Sequence, residues 1–213
     1  MTLGTIHLEE LERDALTELV NIGVSRAAAS LRGMVGRQVT LSVPSVEVVS
    51  REAARALIRE RETGPLVAVR QEFRGAFNGQ ALLIFPEQNS LELVRTVTGD
   101  ELHGQDLLDM EQEALAETGN VVLNSCLATM ANMLGRPLDM SLPEVMRGDG
   151  AQFFEAEPDS ASRGVVLFLY INFAISERNI RGYIAMLMDL PSLEALRELI
   201  AEFVERVLGD DFA

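Results

Sequence analysis

The sequence contains no lysine, and all 18 of its basic residues are arginines. This excludes mechanisms that depend on a lysine, such as P-loop phosphate binding, kinase phosphoryl transfer and a Schiff base to pyridoxal phosphate. The chain has one cysteine, Cys126, and two histidines, His7 and His103. A zinc site needs three or four clustered ligands, and a Ser-His-Asp or Cys-His centre needs a histidine beside its nucleophile. The composition therefore argues against both kinds of site.

Acidic residues outnumber basic ones by 33 to 18, which gives a formal net charge of −15. A nucleic-acid-binding protein needs a basic surface to neutralise phosphates, and an anionic membrane surface repels a chain of this charge. The first ten residues do not look like a signal peptide, and the longest apolar-rich stretch, residues 164–175, is about half of a membrane span. A single cysteine fits a reducing compartment. We therefore expect a cytoplasmic protein that binds no nucleic acid and does not insert into a membrane.

An internal repeat is the most informative feature of the sequence. Residues 14–46 align without a gap with residues 113–145, and 11 of the 33 aligned positions are identical. Later segments also correspond, since SLELVR at 90–95 matches SLEALR at 192–197. Two copies are too few for a solenoid. We therefore predict a single pseudo-twofold domain over residues 1–213, made of two repeats at about 8–100 and 107–208.

Both repeats show the same order of predicted elements. Each begins with a long helical pattern, at 8–34 and at 107–134, and the first helix is expected to end at Gly33 and Gly36. One strand follows around Pro44 and its counterpart over 138–146, and two more follow in each repeat, at 66–74, 80–85, 165–175 and 180–188. The irregular segment 147–164 is expected to be an exposed loop. The predicted fold is a two-layer α+β domain with two long helices on an antiparallel sheet of about six strands.

Each long helix carries two carboxylates and one carboxamide at positions i, i+4 and i+7. They are Asp14, Glu18 and Asn21 in the first copy and Glu113, Glu117 and Asn120 in the second. At about 100° per residue these positions share one face of a helix. Charged residues are common on any solvent-exposed face, but such a face is expected to diverge between copies because most surface substitutions cost little. The recurrence of Glu and Asn in the same register therefore favours a functional site on each helix.

The two motifs resemble the signature of the CheC/CheX/FliY chemotaxis phosphatases. That signature is Asp or Ser, three residues, Glu, two residues, Asn, and then a proline after 22 further residues. Here 22 residues separate Asn21 from Pro44 and Asn120 from Pro143. The segment ELVNIGVSRAAASL also looks like the first helix of CheC. The resemblance extends through both halves, and two sites in one chain is the CheC arrangement, whereas CheX carries one site and dimerises.

The resemblance implies a phosphatase that removes the aspartyl phosphate of a CheY-like response regulator. In that family the long helix docks on the receiver domain, the asparagine orients the attacking water, and the glutamate pairs with a lysine of the receiver. The receiver also carries the magnesium, so no cofactor or metal belongs to the phosphatase itself. Carried over to this chain, the family roles give water placement to Asn21 and Asn120, anchoring of the receiver to Glu18 and Glu117, and further docking contacts to Asp14 and Glu113.

The chemistry of a carboxamide agrees with this role. An amide cannot act as a general base near neutral pH, but it can hold a water in line by hydrogen bonds. A hundredfold acceleration of hydrolysis needs only about 2.7 kcal/mol. The chain departs from the signature at Glu113, where the family has Asp or Ser, and Val20 stands where the second copy has Gly119. We expect the side chain of Val20 to hinder close docking of a partner beside Asn21.

Two other functions remain open from the sequence. One is a non-catalytic CheC-like module that docks on a receiver, on the deamidase CheD or at the flagellar switch, as the FliM middle domain does. That domain shares the fold but lacks the Glu-x2-Asn pairs, so their presence twice here favours catalysis. The other is a metal-dependent hydrolase built on the carboxylates. It is weaker, because the acidic and amide groups are divided between two helices and no histidine joins them.

Overall fold

The computed structural model describes residues 8–36, 38–43, 46–90, 105–155, 164–175 and 178–210, and Pro44, His7 and His103 lie outside them. The helices are α1 (Glu10–Val35), α2 (Arg51–Arg61), α3 (Gln105–Leu134) and α4 (Leu190–Asp210), with a 3-10 turn at Ala151–Phe154. None of the helices in these ranges is long and apolar enough to cross a membrane. The strands are β1 (Val39–Ser42), β2 (Val46–Ser50), β3 (Leu66–Gly75), β4 (Gly79–Pro86), β5 (Leu138–Met140), β6 (Glu144–Gly148), β7 (Val165–Ile175) and β8 (Arg178–Met188).

The eight strands form one antiparallel sheet, which confirms the predicted fold class. The order is β1-β7-β8-β4-β3-β5, while β2 also pairs with β7 and β6 also pairs with β3. Eight strands therefore occupy six positions, in agreement with the six strands expected from the sequence. The strand predicted around Pro44 is two short strands, β1 and β2, which follow one another along β7. Its counterpart over 138–146 is likewise divided into β5 and β6, which lie along β3.

The two halves of the chain occupy equivalent places in the sheet. When β1 to β4 are exchanged for β5 to β8, the strand order is the same order read from the other end of the sheet. The register fixes which residues are equivalent, because Leu41 pairs with Phe173 while Met140 pairs with Phe73. Position 71 in β3 therefore corresponds to position 171 in β7. The single duplicated domain stays a prediction, because a symmetric sheet does not by itself define a domain boundary.

Local sequence sets both ends of α1. The helix begins with a capping box in which the side chains of Glu9 and Glu12 each bind the other's backbone N–H. This satisfies two donors that a helix start leaves unpaired. The helix ends at Gly36, whose φ of 63° lies in the left-handed region that favours glycine. Gly33, which was expected to help end the helix, lies within its last turn.

Apolar side chains are buried on both faces of the sheet. Along β3, Val67 and Val69 belong to the cluster that includes α1, α3 and α4, whereas Leu66 and Ala68 belong to a second cluster with α2 and the 3-10 turn. This alternation follows from the two-residue period of a strand. The two-layer arrangement expected from the sequence is therefore extended by a smaller third layer.

The segment 147–164 is not simply the exposed loop that the sequence predicted. Its residues 156–163 lie outside the described ranges, but the preceding part contains the end of β6 and the 3-10 turn. Phe153 and Phe154 in that turn are 5% and 0% exposed and pack in the second cluster. The prediction is wrong for this part because glycine and polar residues surround two large aromatic side chains, whose burial stabilises the turn.

Helices α1 and α3 approach each other closely at Gly23. A Cβ atom at this position would lie 2.8 Å from the Cα of Cys126, so the contact requires glycine. Next to it, Nη1 of Arg26 donates a hydrogen bond to Oγ1 of Thr129 at 3.4 Å. The two helices that carry the repeated polar motifs are therefore packed directly against each other.

The thiol of Cys126 lies in this helix contact and offers a test of it. The residue is fully buried, and burial raises the pKa of the Cys126 thiol to about 12. We expect no reaction with a thiol reagent at pH 8 in the folded protein and one equivalent after denaturation in guanidinium, since the thiolate is the nucleophile. The folded pKa of this thiol lies above the unfolded value of about 8.5. The contribution of the neutral, buried thiol to the free energy of unfolding is therefore complete below about pH 8.5 and is lost as the pH rises to about 12. Rapid labelling of the folded protein would show that the α1–α3 contact opens.

Candidate functional site

The structure places all six predicted site residues on the two long helices in the same manner. The four carboxylates are exposed, and the two asparagines are half-buried; these residues are Asp14, Glu18 and Asn21 on α1 and Glu113, Glu117 and Asn120 on α3. Each asparagine lies at the inner edge of its polar face, where the helix meets the sheet. A half-buried amide beside exposed carboxylates can bind a small polar molecule at the boundary between protein and solvent.

The amide of Asn21 is held by the backbone at the end of β1. Its Oδ1 accepts a hydrogen bond from the N–H of Val43 at 3.0 Å, and its Nδ2 donates to the carbonyl oxygen of the same residue at 3.3 Å. Val43 immediately precedes Pro44, so this contact accounts for the spacing of Asn and Pro in the first motif. One N–H and one lone pair of the amide remain free for another partner.

The amide of Asn120 is held differently, by two other side chains. Its Oδ1 accepts hydrogen bonds from Nε2 of Gln71 at 3.1 Å and from Nδ2 of Asn124 at 2.7 Å. These two donors occupy both lone pairs of the oxygen. The Nδ2 atom of Asn120 makes no hydrogen bond within the described residues, and it is absent from the buried unpaired atoms. Both of its N–H groups are therefore available to a partner from solvent.

The surroundings of the first motif include a shallow concave surface and an apolar groove. Glu18 and Asn21 line the concave surface together with Ile22, Ser25 and Arg26. Glu18 also borders the groove, whose apolar lining comes from α1, α3 and α4. These apolar lining residues are Leu11, Ala15, Leu19, Met133, Phe203, Val204 and Val207. The first motif therefore combines carboxylate charge with apolar area, as protein-binding surfaces commonly do.

The second motif lies beside the loop between β5 and β6, which is bound to β3 by two hydrogen bonds. The N–H of Ser141 donates to the carbonyl of Glu72, and Oγ of Ser141 accepts from the N–H of Glu72, both at 2.9 Å. The next residue, Leu142, is 88% exposed, while its counterpart Val43 is 2% exposed. Leu142 follows Ser141, whose carbonyl shares the Gln71 donor with Asn120, so this exposed apolar side chain is available for contact with a protein that docks on the second motif.

The expectation that Val20 hinders docking is wrong. Val20 is completely buried and packs in the main cluster, so it faces away from any partner that approaches Asn21. Its counterpart Gly119 is also buried, and a Cβ there would lie 2.4 Å from Cγ1 of Val69. The difference between Val and Gly therefore concerns how closely each helix packs on the sheet and does not alter the exposed face.

Two residues that contact the second motif were not singled out from the sequence. Asn124 lies one turn after Asn120 and was detectable as a continuation of the polar face at i+4. Gln71 is 1% exposed on β3, on the same strand face as Val67 and Val69. A polar residue in register with buried apolar neighbours is the one signal that points to it, and the sequence does not reveal its partner. No group of three or more His, Cys, Asp or Glu side chains that is able to hold a metal ion occurs among the described residues.

Comparison with known proteins agrees with the motif and the fold. A sequence model of the family described as "Chemotaxis phosphatase CheX" matches residues 67–169. The "Putative CheY-P phosphatase CheC1" of Halobacterium salinarum is 23% identical over 187 residues, which are 87% of this chain and 92% of the relative. The "CheY-P phosphatase CheC" of Bacillus subtilis is 24% identical over 196 residues, 89% of this chain and 93% of the relative. The chain is therefore similar to CheC proteins over most of its length.

The solved structures support the same fold. The crystal structure of Thermotoga maritima FliY superposes with a TM-score of 0.73 at 17% identity, covering 93% of this chain and 100% of that one. The predicted resemblance to CheC, CheX and FliY is therefore confirmed for this chain. The segment matched by the family model contains Gln71 and the second motif, whereas the first motif precedes it.

Proposed function

We propose that this protein is a phosphatase that hydrolyses the aspartyl phosphate of a CheY-like response regulator. The observation that carries the proposal is an exposed glutamate one turn from a half-buried asparagine of fixed amide orientation, which occurs on both long helices. The names of the CheC relatives support the same substrate class. A phosphorylated receiver inside the cell would place this protein in the cytoplasm.

The reaction requires a water molecule to be held in line with the bond that breaks. The oxygen of water attacks phosphorus, the bond from phosphorus to the aspartate oxygen breaks, and the products are the free aspartate and inorganic phosphate. Such phosphoryl transfer depends mainly on positioning and on charge stabilisation. An N–H of Asn120 can donate to the water oxygen and leave its second lone pair directed at phosphorus.

The carboxylates of Glu18 and Glu117 serve the docking step in this proposal. Each is exposed on its helix, where it can meet a lysine of the receiver. Asp14 and Glu113 extend the same acidic face by one turn. The proposal gives magnesium to the receiver and no metal or cofactor to this chain. A contact with CheD is a further proposal that follows from the CheC resemblance.

The direct test is the lifetime of the aspartyl phosphate on a CheY-like receiver from the same organism. The receiver is phosphorylated with a small phosphodonor in the presence of magnesium, and phosphate release is followed with and without the purified protein. We expect at least a tenfold acceleration, equivalent to about 1.4 kcal/mol of transition-state stabilisation. Binding of the phosphorylated receiver without any acceleration would reject the proposal in favour of the non-catalytic docking module.

Charge removal at Glu117 separates docking from chemistry. In an Asn21→Ala background, which leaves only the second motif intact, we expect Glu117→Gln to raise KM for the phosphorylated receiver by about threefold to tenfold. This corresponds to the loss of one interfacial ion pair, about 1 kcal/mol, and kcat should stay unchanged. The control is Glu10→Gln, an exposed carboxylate in the first turn of α1 that changes the net charge equally. A fall in kcat at constant KM would instead assign Glu117 to the chemical step.

A further inference from the structure

We infer that Gln71 is a positioning residue for the second catalytic motif, in that it sets which end of the Asn120 amide faces the substrate. This inference rests on the proposed phosphatase function and adds a residue outside the helix motif. Gln71 is 1% exposed, lies on the sheet beneath α3, and donates from Nε2 to Oδ1 of Asn120 at 3.1 Å.

The orientation of Gln71 is itself fixed by a group that can only accept a hydrogen bond. Its Nε2 also donates to the backbone carbonyl oxygen of Ser141 at 2.9 Å. A carbonyl has no proton, so turning the Gln71 amide around would set its oxygen against another oxygen. Ser141 is held in turn by its two hydrogen bonds to the backbone of Glu72. The direction of the hydrogen bonds is therefore determined by the backbone.

This fixed donor determines how Asn120 must point. Because Gln71 presents an N–H, Asn120 must present its oxygen, and Asn124 adds a second N–H to the same oxygen at 2.7 Å. A rotated Asn120 would place its own N–H groups against the fixed N–H donor of Gln71. Both N–H groups of Asn120 are thus directed away from Gln71 and stay available to the attacking water.

The arrangement destabilises the fold in a way that a glutamine with a purely structural role would not explain. The Oε1 atom of Gln71 and the Oδ1 atom of Asn124 are buried and have no hydrogen-bond partner among the described residues. Buried unpaired polar atoms destabilise a fold. The equivalent position in the other half is Ile171, which is 2% exposed and apolar. An apolar residue therefore fits this place in the sheet, and the glutamine is explained by its control of Asn120.

Two substitutions at Gln71 test the inference in single-motif backgrounds. In the Asn21→Ala background we expect Gln71→Leu to lower kcat about tenfold with KM within about twofold, because the water is no longer aligned. Gln71→Glu, which presents only acceptors, should turn the N–H groups of Asn120 inward and lower kcat at least as much. In the Asn120→Ala background Gln71→Leu should leave the remaining activity unchanged. Ile171→Ala in the Asn21→Ala background controls for a general disturbance of the sheet.

The outcomes distinguish this inference from the proposed function. If the wild-type protein accelerates hydrolysis and Gln71→Leu retains full kcat in the Asn21→Ala background, the inference is overturned and the phosphatase function stands. If the wild-type protein does not accelerate hydrolysis, the proposed phosphatase function is rejected. The positioning role is then tested without an activity assay, by ¹⁵N NMR of the Asn120 side-chain amide. A sharp pair of amide signals that broadens or shifts in Gln71→Leu then supports the positioning role, and an unchanged pair overturns it.

Discussion

The Asn120→Ala variant is expected to lose most of the phosphatase activity, about tenfold or more in kcat/KM, whereas Asn21→Ala is expected to lose a smaller share. The reason lies in the hydrogen bonds that each amide already makes. Asn120 keeps both N–H groups free, while Asn21 donates one of its two to the carbonyl of Val43. The double variant should release phosphate no faster than the receiver alone. The measurement is phosphate release from the phosphorylated receiver at several concentrations of each variant.

The same hydrogen bonds predict the opposite ranking for stability. Asn21→Ala removes two bonds to the backbone of Val43, each of about 1 kcal/mol, and should lower the free energy of unfolding by about 1–2 kcal/mol. Asn120→Ala removes an acceptor from two side chains, one of which keeps its bond to Ser141. It should therefore destabilise the protein less. Denaturant unfolding of both variants separates the loss of activity from a loss of folded protein.

A matched control and two contrary results make this ranking testable. Asn132→Ala changes an exposed amide on α3 more than three turns after Asn120, and it should leave the activity unchanged and alter stability by no more than about 0.5 kcal/mol. If Asn21→Ala alone abolished the activity of a fully folded protein, the second motif would be the degenerate one. If the double variant kept the wild-type rate, the asparagines would have no part in the chemistry and the docking module would be the better account.

The repeated polar face was readable from the sequence because it depends only on helical periodicity. Glu18 and Asn21, and likewise Glu117 and Asn120, lie within one turn of each other, so no knowledge of the sheet is needed to place them on one face. The division of each predicted edge strand into two was not seen. The alternating pattern continues on both sides of Pro44, and the break became visible only from the pairing of β1 and β2 with β7.

The orientation of Val20 was predictable in principle and was missed. Leu16, Val20 and Val24 recur every four residues on α1 and form an apolar stripe, which is typical of the buried side of a helix. Val20 adjoins Asn21 in the sequence but lies about 100° around the helix from it, so adjacency in the sequence does not place the two side chains on the same face. Gln71 is a different case, because its partner Asn120 is 49 residues away in the sequence. Only the tertiary structure brings a strand residue and a helix residue together.

The Gly119→Ala variant is expected to lower the free energy of unfolding by about 2 kcal/mol and to remove most activity of the second motif. A Cβ at Gly119 would lie 2.4–2.8 Å from three side-chain atoms of Val69, including its Cβ. A Cβ cannot rotate away, so α3 or β3 must shift, and such overpacking typically costs about 1–3 kcal/mol. The shift would separate Asn120 from Gln71, whose side chains meet across the same interface. Thermal unfolding and phosphate release in the Asn21→Ala background measure the two effects.

The matched control for this substitution is Gly33→Ala in the last turn of α1. No atom lies within 4 Å of a Cβ placed there, so the alanine meets open space. Because glycine is a poor helix former, this variant should gain up to about 1 kcal/mol. For a chain of this length, the two variants should move the unfolding temperature in opposite directions, by about 4–8 °C downward for Gly119→Ala and about 2–4 °C upward for Gly33→Ala. An unchanged unfolding temperature and full second-motif activity in Gly119→Ala would show that the close contact between α3 and β3 does not hold the site.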